Sequence, residues 1–366
     1  MIDKRFLRYF DWISFGLMLA ILSIGLLFVF SSTYRPEEPF SVLFKKQLFG
    51  AGAGLVLYFI FCIKDMRRLT KVVYCLYLAL LVLLAYTFLC GWVGMGGQRW
   101  ISLYFFRFQP SEIAKLLLPM FMAIHFAGEG YEKVTEISLE KLFFPVLVLL
   151  TSFVLILKQP DLGTALLVLM SGGIMLWFVG VNRTYFILLG ILLVIGIPVM
   201  WTFLKPYQQQ RIKVLFGYGD VRKERYQIEQ SKIAIGSGGL LGKGVLNGTQ
   251  SKLSFLPEDH TDFIFSVICE EWGFWGAVLT LFLYGLLFVR LCYIVLNVGL
   301  FFNQVVAIGL MAHVFLSVCV NVGMVVGILP VVGIPLPLVS CGLSNLWITL
   351  ASFGWLNHIA IRRFYY

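Results

Sequence analysis

Hydrophobic residues fall in long runs along this chain, with the polar ones gathered between them. The runs cover approximately 12–31, 47–63, 72–90, 110–127, 142–157, 162–180, 185–204, 263–289, 303–326 and 341–360. About 20 helical residues cross the hydrocarbon core of a bilayer, and shorter runs are accommodated by tilt and flanking residues. The pattern predicts an all-α, polytopic integral membrane protein of about ten transmembrane helices. It reads as one membrane domain over residues 1–366, with a long extracytoplasmic loop, 205–261, between the seventh and eighth helices. The first run lacks a small-residue cleavage site and reads as a retained helix.

Composition supports this pattern. Hydrophobic residues make up 60% of 366 and charged residues 13%, against about a quarter charged in soluble domains. No large soluble domain fits, and no nucleic-acid partner is expected. The seven cysteines (Cys62, Cys75, Cys90, Cys269, Cys292, Cys319, Cys341) stand singly with no CxxC and read as small apolar residues. His125, His260, His313 and His358 are scattered, so no histidine-built metal site is expected.

Loop charge sets the sidedness. With the N-terminus inside, Lys4, Arg5, Arg8, Lys64, Arg67, Arg68, Lys71, Lys133, Lys141, Arg183, Arg290, Arg362 and Arg363 are cytoplasmic. The short outer segments hold only Arg35, Lys45, Lys46, Arg99, Arg107 and Lys158. Both termini are therefore expected in the cytoplasm. The loop 205–261 is an anomaly, outside yet rich in Lys and Arg from Lys205 to Lys252, with a glycine cluster around Gly236–Gly248. Two readings stay open: a flexible solvated loop, or a basic surface for an anionic lipid head group. Residues 226–235 could form a short helix lying on the membrane.

Ionisable groups in or beside spans point to function in a membrane protein. Glu112 and Lys115 open the fourth span three residues apart, so they share a helix face and can pair. Arg99 and Trp100 lie in the preceding loop, where Arg suits a phosphate or carboxylate and Trp an interface anchor. Asp161 and Asp262 each precede a span, where a helix N-terminus favours an acid. Glu270 and Glu271 follow Asp262 in the eighth run; in a continuous helix Glu270 lies about 12 Å deeper and needs a partner or a cavity. The segment 327–342 carries Pro330, Pro335 and Pro337 with Gly327, Gly333 and Gly342. It reads as re-entrant or unwound, packed on protein and shaping the site. With the charge-derived topology, Arg99, Trp100, Glu112, Asp161 and Asp262 all fall at the outer boundary.

These segments also resemble the SEDS family (shape, elongation, division and sporulation) over nearly the whole chain. The resemblance rests on Gly97-Gln98-Arg99-Trp100-Ile101, Phe108-Gln109-Pro110-Ser111-Glu112-Ile113-Ala114-Lys115 and Lys158-Gln159-Pro160-Asp161-Leu162-Gly163-Thr164-Ala165. It continues in 230–239, Gly248-Thr249-Gln250, Phe255-Leu256-Pro257-Glu258-Asp259-His260-Thr261-Asp262-Phe263-Ile264-Phe265 and Gly333-Ile334-Pro335-Leu336-Pro337. It implies a peptidoglycan glycosyltransferase that polymerises lipid II at the outer face of the bacterial cytoplasmic membrane. It also implies that Asp262 is required, that Glu112, Lys115 and Asp161 match positions important for activity, and that Arg99 and Trp100 match a further segment. Departures occur at Asp259, in 217–226, and in Ser340-Cys341-Gly342-Leu343-Ser344.

The expected mechanism makes Asp262 the general base for the sugar 4-hydroxyl of incoming lipid II, which attacks the lipid-linked end of the chain with inversion to a β-1,4 bond. Positive charge near the leaving polyprenyl diphosphate would come from Lys115, Arg99 or the basic loop, with a divalent cation left open and no other cofactor implied. The implied partner is a class B penicillin-binding transpeptidase, beside the membrane lipids. The alternatives are a flippase for the lipid-linked precursor, a non-enzymatic scaffold, and the division rather than the elongation branch of the family.

Overall fold

Each of the ten apolar runs becomes a helix of eighteen residues or more in the computed structural model, which describes residues 8–64, 71–94, 97–103, 106–127, 139–203, 206–215, 217–218, 225–253 and 255–363. They are α1 (Trp12–Thr33), α2 (Val42–Ile63), α3 (Val73–Cys90), α4 (Pro110–Ala127), α5 (Leu139–Lys158), α6 (Leu162–Val179), α7 (Arg183–Phe203), α11 (Ile264–Leu296), α12 (Phe301–Val326) and α13 (Leu343–Arg362). Between α7 and α11 lie α8 (Pro206–Leu215), α9 (Tyr226–Gly238) and α10 (Thr249–Lys252). The expected charges at Lys4, Arg5, Arg67, Arg68, Lys133, Lys205, Arg222 and Lys223, and much of the departure in 217–226, lie outside the described residues.

Among the described residues, α1, α2, α3, α5, α6, α11 and α12 are long and apolar enough to cross a membrane. The chain is an integral membrane protein. Helices α4 and α13 are more polar because protein surrounds them: Glu112, Lys115, Asn357 and His358 are all buried. A three-stranded antiparallel sheet, β1 (Trp92–Gly94), β2 (Gly97–Leu103) and β3 (Phe106–Phe108), fills the connection from α3 to α4. The pattern of apolar runs does not show it: β1 and β3 have three residues each, and β2 places Trp100 beside Ile101 without strict alternation.

Small residues allow close helix contacts. A Cβ on Gly354 of α13 would lie 2.2 Å from Tyr58 O of α2, so only hydrogen allows that approach. At the centre, α12 packs on α4, α6 and α11.

The eighth run is not one straight helix. Gly273 has φ 65° and ψ −160°, which divides α11 into 264–272 and 274–296. The break frees backbone groups, and the glycine-rich turn after α9 takes them up. Lys243 N and Gly244 N donate to Glu270 O and Glu271 O at 3.0 and 2.9 Å, while Phe274 N and Trp275 N donate to Gly239 O and Leu240 O. Added Cβ atoms on Gly242 and Gly273 would meet opposing backbone at 2.1 and 2.3 Å. Within the cluster, Gly238 and Gly242 thus serve close backbone approach. Helix α9 is packed in as well: Ile228, Ser231, Ala234 and Gly238 are buried, and Ser231 Oγ donates to Val325 O at 2.7 Å. One face of the helix packs against the bundle, and Ile233 is exposed on the other.

This break reverses the depth order expected for the acids. Glu271 is held by Ser31 near the end of α1, at 2.5 and 2.7 Å. The turn before Asp262 is held by Ser340 and Cys341, next to Leu338 and Val339, whose backbone lies against Gly25 of α1. Six residues of helix separate Gly25 from Ser31, about 9 Å. Asp262 therefore lies toward the middle of α1, with Glu270 and Glu271 nearer its C-terminal end. A continuous helix would give the opposite order.

Candidate functional site

Three consecutive carbonyls leading into α11 are gripped from other parts of the chain. His260 O accepts from Cys341 N at 2.9 Å, Thr261 O from Ser340 Oγ at 2.5 Å and Asp262 O from Asn321 Nδ2 at 2.9 Å. The turn they define starts at Glu258, a non-glycine residue at φ 56°, whose carbonyl accepts from Thr261 N and Phe263 N. Such φ values cost on the order of 1–3 kcal/mol and persist only where surrounding contacts enforce them.

The gripping segment is the apolar, proline-rich 327–342. It is non-helical, and protein groups take up part of its polar backbone, as a place among apolar helices favours. Ser340 Oγ accepts from Leu336 N at 2.7 Å. Gln47 of α2 donates to Ser340 O and accepts from Gly342 N, both at 3.1 Å. Tyr284 OH donates to Pro337 O, and Asn321 Nδ2 donates to Ile334 O at 2.8 Å. Gly333, at φ 70°, faces the carboxylate: a Cβ there would lie 3.4 Å from Asp262 Oδ2.

The same segment carries the site across to Asp161. A Cβ on Gly163 would meet Val332 O at 2.8 Å, so the start of α6 abuts the residues on either side of Gly333. Asp161 caps α6 by accepting from Thr164 N at 3.2 Å. Its other oxygen accepts from Gln109 Nε2 at 2.8 Å, and Arg99 Nη1 lies 3.7 Å from Oδ1. A guanidinium nitrogen of Arg99 also donates to Pro160 O. Side chains alternate along a strand, so β2 turns Trp100 to the face opposite Arg99, across from Trp92.

One turn into α4, Lys115 Nζ donates to Glu112 Oε1 at 2.6 Å, with both side chains almost fully buried. Glu112 Oε2, His313 Nε2 and Asn321 Oδ1 are buried polar atoms without a hydrogen-bond partner among the described residues. Orphans of this kind are rare in structural cores; these three lie on α4 and α12, and Arg99 Nε, Gln159 Oε1 and Gln250 Oε1 are others elsewhere among the described residues. Three of the basic candidates are matched to acids, Arg99 to Asp161, Lys115 to Glu112 and Lys243 to Glu270. Glu270 also accepts from Thr249 N at 2.8 Å, so it and Glu271 fasten the loop between α9 and α11. Asp259 lies 3.1 Å from His260 Nδ1. Among the described residues no three His, Cys, Asp or Glu side chains come together as metal ligands.

A family model described as a cell cycle protein, covering FtsW, RodA and SpoVE, matches residues 11–364. The chain belongs to this family. Among relatives, the peptidoglycan glycosyltransferase MrdB of Escherichia coli K12 is 45% identical over 284 residues, 76% of this chain and 75% of its own length. The peptidoglycan glycosyltransferase RodA of Treponema pallidum is 31% identical, covering 97% of this chain and 98% of its own. A chain from a solved peptidoglycan synthase complex that coordinates polymerization and crosslinking superposes with a TM-score of 0.82 at 31% identity, covering 97% of this chain and 98% of that one. The rod shape determining protein RodA of Thermus thermophilus gives 0.71 with the same identity and coverage.

Of the motifs that carry the resemblance, the start of α6 at Gly163 abuts the residues around Gly333, which faces Asp262, and Arg99 joins them through Asp161; Trp100 lies on the other face of the sheet. Reasoning from charge passed over Asn321, Ser340 and Gln47. The available signal was a lone amide or hydroxyl inside an apolar run, which is costly in the same way as a charge.

Proposed function

We propose that this chain polymerises lipid II into glycan strands at the outer face of the bacterial cytoplasmic membrane, with Asp262 as general base. Membership of a family of peptidoglycan glycosyltransferases gives the reaction class. The gripped turn supports the assignment of the base, because a proton acceptor must be held within hydrogen-bond reach of the attacking oxygen. In this reading the 4-hydroxyl of the incoming sugar loses its proton to Asp262 as its oxygen attacks the anomeric carbon, and the polyprenyl diphosphate departs. Arg99 and Lys115, each held by an acid, stabilise the departing charge as fixed donors rather than as mobile counter-ions. Asp161 and Glu112 orient those two cations. A divalent cation at the diphosphate would draw most of its ligands from phosphate oxygens, since Mg²⁺ sites with few carboxylates are completed that way.

All ten long helices cross the membrane in this reading, with both termini in the cytoplasm and residues 1–366 acting as one domain. The partner is a class B penicillin-binding transpeptidase that cross-links the nascent strand, in the elongation of the cell wall. The test is polymerisation of lipid II by the purified chain with and without that transpeptidase, beside a lipid II translocation assay in proteoliposomes. Glycan strands whose yield rises with the transpeptidase support the proposal. Translocation without polymerisation under either condition contradicts it in favour of a flippase.

A further inference from the structure

Asn321 lies in α12, five residues before the helix ends, and is fully buried. Both protons of its amide nitrogen are used, on Asp262 O at 2.9 Å and Ile334 O at 2.8 Å. Neither carbonyl belongs to a ladder. The helical bonding of α11 begins after Asp262, with Ser266 N donating to Phe263 O at 2.9 Å. Ile334 lies in the non-helical segment between Gly333 and Pro335, where the proline offers no N–H. One side chain therefore ties together two backbone carbonyls far apart in sequence, one in the turn before α11 and one in the proline-rich segment.

The two carbonyls have a specific relation to the reaction. One belongs to Asp262 itself. The other belongs to the residue after Gly333, whose Cα hydrogen faces Asp262 Oδ2. The amide thus fixes both the backbone from which the carboxylate projects and the wall against which it rests. Ser340 and Cys341 hold the two preceding carbonyls, but neither bonds the residue that bears the carboxylate.

We infer that Asn321 is a positioning residue for Asp262, setting the carboxylate at its working distance from the attacking hydroxyl without touching substrate. This rests on the reading of Asp262 as the base. A displacement near 1 Å at a reacting group can cost about 100-fold in rate, so the effect should fall on kcat and spare substrate binding.

The experiment compares purified wild type, Asn321→Leu, Asn321→Ser and Asp262→Asn in lipid II polymerisation, with kcat, KM and thermal stability measured for each. Asn321→Leu removes both donors at similar volume and should lower kcat about 100-fold with KM changed by less than about threefold. Asn321→Ser keeps one short donor, should disturb packing least, and should give a kcat between the two. A kcat for Asn321→Leu near wild type would overturn the inference. So would a parallel loss of kcat, lipid II affinity and stability in both variants, which marks a purely structural residue; if Asn321→Leu does not fold, Asn321→Ser alone decides by the same split. Asp262→Asn separates the two claims: if it stays active, the base assignment fails, whereas an inactive Asp262→Asn beside a fully active Asn321→Leu defeats only the positioning role.

Discussion

Gly333 shows how much a single hydrogen matters at the residue scale. Its φ of 70° is unfavourable for any residue with a Cβ, and that Cβ would come into van der Waals contact with the Asp262 carboxylate. Gly333→Ala is expected to reduce lipid II polymerisation by about 10-fold or more while leaving the bundle folded, since the strain is on the order of 1–3 kcal/mol; initial rates beside a melting curve check this. The acids were legible in the sequence because charge beside an apolar run is costly and therefore conspicuous. Glu112 and Lys115 pair as their three-residue spacing implies, and Asp161 caps a helix as its place before a span suggests. The positions that hold Asp262 were not legible. Asn321, Ser340 and Gln47 act on backbone carbonyls and amides distant in sequence, and no local pattern encodes such a bond.

At the scale of elements, the apolar runs foretold the helices to within a few residues at most ends, because hydropathy and helical length are both local properties. The failure lies at Gly273. A glycine within an apolar run is tolerated in a helix, so nothing marked it as the point where α11 divides. The glycine cluster of 236–248 looked like flexibility for the same reason: sequence shows the absence of a Cβ, not the backbone that occupies its place. The structure predicts a sharp penalty there. Gly242→Ala adds a Cβ against Glu271 O at φ 79°, which should destabilise the docked loop by on the order of 3 kcal/mol. Limited proteolysis should then cut within 239–250 at protease levels that leave the wild type intact. Substitution of Gly236, with open space at its Cβ position, should have little effect on the same assay.

On the scale of the whole molecule, polar networks close both ends of α1. At one end Ser31 meets Glu271. At the other, Arg290 donates to both oxygens of Asp11, and Asn357 bonds Asp11 and Tyr58. Asp11 and Ser31 are 20 residues apart, about 30 Å of helix, which equals the hydrocarbon thickness of a bilayer. The Asp11 end gathers Arg290, Tyr58, Asn357 and His358, the side that loop charge assigns to the cytoplasm. Arg290→Met should lower thermal stability by about 3 kcal/mol because it strands a buried carboxylate. Adding Asp11→Asn should recover part of that loss. Polymerisation by whichever fraction stays folded should be little affected, because the network lies at the end remote from Asp262. The proposed chemistry depends on that aspartate. Its most direct test is lipid II polymerisation by purified Asp262→Asn protein that matches the wild type in thermal stability and lipid II binding. Loss of glycan product by at least about 100-fold, in the range expected for general-base catalysis, is the predicted result; strand synthesis at the wild-type rate would contradict it.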